Sequence, residues 1–298
     1  MIYPSGREIE STYDIRDRLI SITDGTRSLV DYSYRSDDLL ATMTLGNGLQ
    51  TSMNYDSLGS ITTIQHDTLL ELSYLYDEKG YLITENHATQ SDKSRSFSYD
   101  AVGRLIAALR GPLQQGVINT PLESFQYAWD AVGNRMSTQK GGQTTLYQSN
   151  AKNAYTQVGS QVLSTDMEGN LLNDGNFQYV YDSENRLNEV KQSGNSRVLY
   201  RYDAIGRRSL KITPNDTIYY YYSYDHIIEE RDRKDSVIAS YVYGRGVDDL
   251  VFAEIKGRGY YYHKDYQGNI RALSDSQGNP VVYYEYDPFG TRKMYNAQ

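Results

Sequence analysis

Aspartate recurs beside an aromatic residue at Asp14, Asp56, Asp77, Asp100, Asp130, Asp182 and Asp203, a pattern that could serve acid–base chemistry or calcium binding. His263 and Asp265 stand two residues apart, so on a strand both project to one side and an imidazole–carboxylate hydrogen bond becomes available. Ser274 and Ser276 flank Asp275, and the Asp287-Pro288 bond invites a cleavage reaction. Each has a plainer reading. A turn aspartate accepts hydrogen bonds from the turn's own backbone N–H groups. The His263–Asp265 pair has no nucleophile marked beside it and reads as structural, and the serines read as a turn. Pro288 ends a strand and Gly290 turns it. His66, His87 and His226 stand at no metal-ligand spacing, and the Gly-Gly-x-Gly-x-Asp string of calcium-binding repeats does not occur. The absence of cysteine excludes disulfides, thiolate metal sites and thiol nucleophiles. The expectation is a protein that is not an enzyme, without catalytic residues, metal or cofactor.

What must hold these residues is a repeat. Nine anchors, Tyr13, Tyr34, Tyr55, Tyr76, Tyr99, Trp129, Thr165, Tyr181 and Tyr202, are separated by 21, 21, 21, 23, 30, 36, 16 and 21 residues. The next residue is Asp in eight of the nine, Arg35 being the exception. Three residues further on stands Gly59, Gly80, Gly103, Gly133, Gly169 or Gly206, or the substitutes Asp17, Asp38 and Asn185. Asp at the first position and a left-handed residue at the fourth specify a type I turn closed by a bulge, within a β-hairpin. Glycine enters that region freely, and Asn and Asp are the next most tolerant. Two residues before the anchor stand Tyr32, Tyr74, Phe97, Tyr127, Tyr179 and Tyr200, which puts both rings on one strand face. The units therefore predict an all-β chain of repeated antiparallel hairpins with negligible helix.

Composition agrees. Of the aromatic residues 31 are Tyr, against 5 Phe and 1 Trp, favouring β-structure with polar aromatic faces over a leucine-packed bundle. A net charge of −8 with no long basic block argues against nucleic acid as a partner, and no apolar run is long enough to span a membrane. The N-terminus lacks a signal-peptide pattern. Residues 1–212 read as repeats, with irregular insertions near 106–128 (around Gly111-Pro112) and 136–160. The stretch Gln139-Lys140-Gly141-Gly142-Gln143 reads as a flexible tip or linker.

From residue 213 the pattern shifts, through Tyr224-Asp225 to His263-Lys264-Asp265-Tyr266-Gln267-Gly268-Asn269 and Tyr286-Asp287-Pro288-Phe289-Gly290. The chain resembles the Rhs, or YD-repeat, family: residues 1–212 its repeats, and 213–298 the N-terminal part of its associated core, ending after the DPFG motif. The resemblance implies a spiral of hairpins forming part of a hollow shell, open in this piece, as in Tc-toxin C-components and teneurins. It implies a structural role for His263, Asp265, Gly268, Asn269 and Tyr286–Gly290. In bacterial members it implies enclosure of a toxic C-terminal segment, so the expected partner is the rest of the parent polypeptide or an enclosed cargo, secreted or at the cell surface. The alternative is a carbohydrate-binding or adhesion module using tyrosine-rich faces. Strands at 9–13 and 281–286 are expected to be unpaired edges open to self-association.

Overall fold

The aromatic-Asp-x-x-Gly unit dictates a backbone, and the chain adopts it throughout. In a computed structural model describing residues 1–297, the Gly59 N–H bonds the Asp56 carbonyl at 3.2 Å and the Asp56 N–H bonds the Ser60 carbonyl at 3.0 Å. The ladder slips by one residue between Asn54 and Tyr55, the bulge that lets a type I turn close a hairpin. At all nine units the fourth turn residue is left-handed, with φ between +60° and +94°. Arg35 lacks the carboxylate, yet its N–H bonds the Leu39 carbonyl at 2.8 Å and the Asp38 N–H bonds the Arg35 carbonyl at 3.2 Å.

A β-carbon added at Gly103 would meet nothing within 4 Å, so only its φ of +86° resists substitution. Gly103→Val should therefore cost about 1–3 kcal/mol, and Gly103→Asn less. A urea midpoint for the valine variant equal to the parent's would show that the turn has no need of a left-handed residue.

The described residues form 29 strands and one 3-10 turn, Ser91–Lys93. Two antiparallel sheets of 15 and 14 strands result, and strand order within each is the order of the sequence. The sequence reading needs several corrections. Of the two readings of 139–143, the hairpin tip holds: Lys140 pairs with Gln143, and Gly141 and Gly142 have φ of +54° and +84°. The insertion near 106–128 is mostly regular strand, since Leu105–Arg110 and Glu123–Trp129 pair directly and only 111–122 loops out. The 36-residue gap before Thr165 hides a further hairpin, in which the Asn153 N–H bonds the Asn150 carbonyl at 3.0 Å. There Ser149 stands for the aromatic and Asn150 for the aspartate, which conceals it from a Tyr-Asp search. Tyr224-Asp225 is a two-residue turn between strands Thr217–Ser223 and His226–Arg231, with Tyr224 left-handed and exposed.

The expected edges also move. Strand Pro280–Tyr286 is paired on both sides, with Ile270–Ser274 and Arg292–Asn296. Strand Ile9–Tyr13 begins the first sheet, but Met1 folds back on it, with the Ile9 N–H bonding the Met1 carbonyl at 2.8 Å.

Two compact units divide the chain, and they cut it differently from 1–212 and 213–298. The first comprises Met1–Ser94, Tyr221–Glu230 and Val237–Gln298; the second comprises Arg95–Tyr220 and Arg231–Ser236. The ladder runs across residue 212, pairing Ile212 with Thr217. In the first unit a buried core joins early and late residues, among them Ile22, Leu29, Val30 and Leu45 with Val242, Val251, Phe252 and Tyr261. The second has a small core of Ala108, Phe125 and Tyr127, and no residue from Ala128 to Tyr220 is fully buried.

Candidate functional site

Each turn aspartate is bonded by its own hairpin. Asp100 Oδ1 accepts the N–H groups of Val102 and Arg104 at 3.0 and 2.9 Å, and Oδ2 accepts Arg104 Nε at 2.7 Å. Arg186 and Arg207 bond Asp182 and Asp203 in the same way at 2.8 and 2.7 Å. Asn134 replaces the arginine at Asp130, donating Nδ2 to Oδ2 at 2.8 Å. Asp56 and Asp77 accept the same pair of backbone N–H groups. These bonds hold the Asp14, Asp100, Asp130 and Asp182 carboxyls below the usual carboxylate range, Asp14 at about 2 under its bond to Arg18. The carboxylates are turn locks, each with its Oδ1 shared between two turn N–H groups at Asp56, Asp77 and Asp100.

The anchor rings carry a function that the spacing did not disclose. The Tyr34, Tyr55, Tyr76 and Tyr202 hydroxyls donate to the carbonyls of Leu19, Leu40, Ile61 and Leu187, at 2.6 to 2.9 Å. Every acceptor is the aliphatic residue six places after the preceding anchor. Trp129 does the same with its indole N–H, on Leu105 at 2.8 Å. These five hairpins are thus tied to the one before at the residue beside the bulge. One signal was available: the aromatic anchors are Tyr or Trp, which carry a donor, and never Phe. Tyr76→Phe should lower the unfolding free energy by about 1–2 kcal/mol, and a thermal melt unchanged by it would remove the tie from the account.

The late signature repeats the design. Asp265, Asp275 and Asp287 form the same turn with Gly268, Gly278 and Gly290, whose φ values lie between +83° and +88°. Pro288 occupies the second turn position, where its fixed φ suits a type I turn, and Phe289 donates its N–H to Asp287 Oδ1 at 3.1 Å. The Tyr286 hydroxyl ties back to the Ile270 carbonyl at 2.9 Å. Asn269 takes the arginine's place, its Nδ2 bonding Asp265 Oδ2 at 3.1 Å.

His263 does not pair with Asp265, because the strand ends at Lys264 and Asp265 already belongs to the turn. Its Nε2 lies 2.8 Å from Ser274 Oγ, which Asn47 Nδ2 also bonds at 2.9 Å. Ser274 is therefore the last residue of strand Ile270–Ser274 rather than part of a turn, and it is the hydroxyl neighbour that His263 had seemed to lack. Serine beside imidazole suggests a nucleophile and base. However, both side chains are 0% exposed, and His263 Nδ1 is buried with no partner among the described residues, so nothing orients the ring as a catalytic base requires. The adjacent His66 sets its ring edge-on to His263 at 5.1 Å. Its Nε2 lies 2.8 Å from the Lys264 carbonyl, which can only accept, so Nε2 carries the proton and Nδ1 accepts from Thr51 Oγ1 at 2.7 Å. Burial pushes both rings down, His66 to about 4 and His263 to about 3.

Beyond the histidines lies a sealed ionic group. Arg271 Nη1 donates to Glu85 Oε1 at 2.9 Å and to Asp265 Oδ2 at 3.4 Å, and all three side chains are at most 4% exposed. Burial raises the Asp265 carboxyl, which Arg271 draws back down and Glu85 pushes up. Tyr74 and Tyr266 cover the group, ring centroids 4.7 Å apart. The arrangement fastens residues 47–85 to 263–275.

A family model, the teneurin YD-shell, matches residues 4–115 and 62–294. The chain belongs to this family. The YD-shell chain superposes on the Tc holotoxin pore of Photorhabdus luminescens with a TM-score of 0.74 at 18% identity, covering 98% of itself and 17% of that chain. The TcdB2–TccC3 complex without its hypervariable C-terminal region gives the same values. At this identity the likeness shows the fold. Among curated relatives, the tRNA3(Ser)-specific nuclease WapA of Bacillus spizizenii is 33% identical over 174 residues, 56% of this chain. The tRNA nuclease WapA of Bacillus subtilis is 32% identical over the same length. The YD-shell chain spans only 7% of either relative.

Proposed function

We propose that this YD-shell segment is a non-catalytic wall which, in its parent polypeptide, helps enclose and deliver a C-terminal, toxin-like segment. The observation that carries this reading is the destination of its polar groups. The turn aspartates and the His263–Ser274 pair bond within their own hairpins, while the anchor hydroxyls, His66 and the Glu85–Arg271–Asp265 group bond one hairpin to another. The likeness to toxin-complex structures over 98% of the chain supports it. The chain spans only 7% of the WapA relatives, so the nuclease activity in their names does not by itself come to this stretch. On this reading the parent acts outside the cell or at its surface, with its own polypeptide as the partner, and the exposed strand Arg292–Asn296 is the edge at which this segment would self-associate. Sugar stacking has less support, since Tyr32, Tyr74, Tyr127, Tyr261 and Tyr262 are buried.

Limited proteolysis of the parent polypeptide tests this. The C-terminal segment should survive while the wall is intact and be cut rapidly after residues 1–298 are deleted. Equal cleavage in both forms would refute enclosure, and tRNA cleavage by the purified 298-residue chain would refute the non-catalytic role.

A further inference from the structure

One cavity in the first unit is left unfilled by this bonding. It measures about 350 Å³, within the ~300–1,000 Å³ typical of small-molecule sites. Leu40, Met43, Met53, Ile64 and Val251 supply an apolar floor. Methionine is the most adaptable apolar lining, since its unbranched thioether re-packs around ligands of different shape.

The polar groups around this floor are unequal. Asp249 is neutralised by Lys264 Nζ and accepts the Arg245 backbone N–H at 2.9 Å. Asp38 is held by Arg16 and Arg18 at 2.8 and 2.6 Å. Arg245 is different. Its guanidinium lies over the Tyr32 and Tyr34 rings, 6.0 and 5.1 Å from their centroids, touches the Tyr34 hydroxyl, and meets no carboxylate among the described residues. Beneath it the Tyr32 hydroxyl is buried with no hydrogen-bond partner among the described residues, although the side chain is only 7% exposed.

We propose that this cavity binds a small amphipathic carboxylate, its apolar body against Met43, Met53 and Ile64 and its anionic head on Arg245. The guanidinium fork matches a carboxylate. A neutral amphiphile would gain the apolar contact but not the head contact. A cationic one would meet Arg245 with like charge.

Calorimetric titration of the full chain with octanoate, octanol and octyltrimethylammonium tests the assignment. Octanoate should bind about tenfold more tightly than octanol, the worth of one charge-assisted contact, and the cation should not bind. Arg245→Gln changes an exposed side chain, so the fold survives, and octanoate should fall to the level of octanol. Met53→Trp, which fills the floor, should abolish binding of both while the far-ultraviolet circular dichroism stays that of the parent. Absence of octanoate binding at millimolar concentration, or equal octanoate affinity in the parent and Arg245→Gln, would overturn the proposal.

Discussion

Arg271→Met should destabilise the protein by about 3–5 kcal/mol. The substitution nearly preserves side-chain length, so little packing is lost. What it removes is the one cation bonded to both Glu85 and Asp265, leaving two carboxylates in a pocket where neither is more than 4% exposed. Losing one partner of a buried pair costs far more than the pair's net worth, because the remaining charge has no water to solvate it. The corresponding triple variant, with Glu85→Gln and Asp265→Asn added, should therefore recover most of the loss. Urea denaturation of the single and triple variants measures both. A single variant within 1 kcal/mol of the parent would show that Arg271 is not the partner of those acids.

Acidification from pH 7 to pH 4.5 should weaken the fold through its buried histidines. His66, His87 and His263 are buried, and burial lowers them to about 4, 4 and 3 from an ordinary 6.5. The unfolded chain thus takes up protons as the pH drops through 6.5, whereas the folded chain stays neutral until much lower pH. Stability is complete above 6.5 and is lost progressively down to about 4, at roughly 2–4 kcal/mol for each ring. His263 is the clearest case, because a proton on Nδ1 would find no acceptor. Asp265 works in the opposite sense, its raised carboxyl being relieved as it protonates. Asp100 and Asp182 contribute only lower down, since their turn bonds hold these carboxyls below the ordinary range. Urea midpoints at pH 7.5 and 4.5 should differ, and His66→Gln should shrink the difference. A midpoint constant across that range would mean the rings are solvated.

The turns were legible because they are local. Asp56 and Gly59 are three residues apart, and one left-handed position with one carboxylate determines the backbone between them. The same logic failed at Asn150, where both marker residues are replaced although the turn persists. It also misassigned Asp265, which strand alternation placed beside His263 while the turn geometry claimed it. Partners far apart were out of reach. Nothing near Arg271 names Glu85, 186 residues away, and nothing near His66 names the Lys264 carbonyl. The tyrosine ties lie between these cases: their regular spacing is in the sequence, but their acceptor is a backbone carbonyl common to every residue.

Strand order that follows chain order has a kinetic meaning. Each strand pairs with the one just made, so the ladder can grow from a single nucleated hairpin without waiting for a distant partner, as stacked repeats do. A polypeptide emerging from a ribosome or a narrow channel could fold as it appears, one hairpin at a time. The first unit escapes this rule at one stage, because Met1–Ser94 must hold its open core until Val237–Gln298 arrives. The Arg271 contact to Glu85 is then a latch that engages last, and the apolar face of residues 19–45 is the surface a chaperone would shield in the interval.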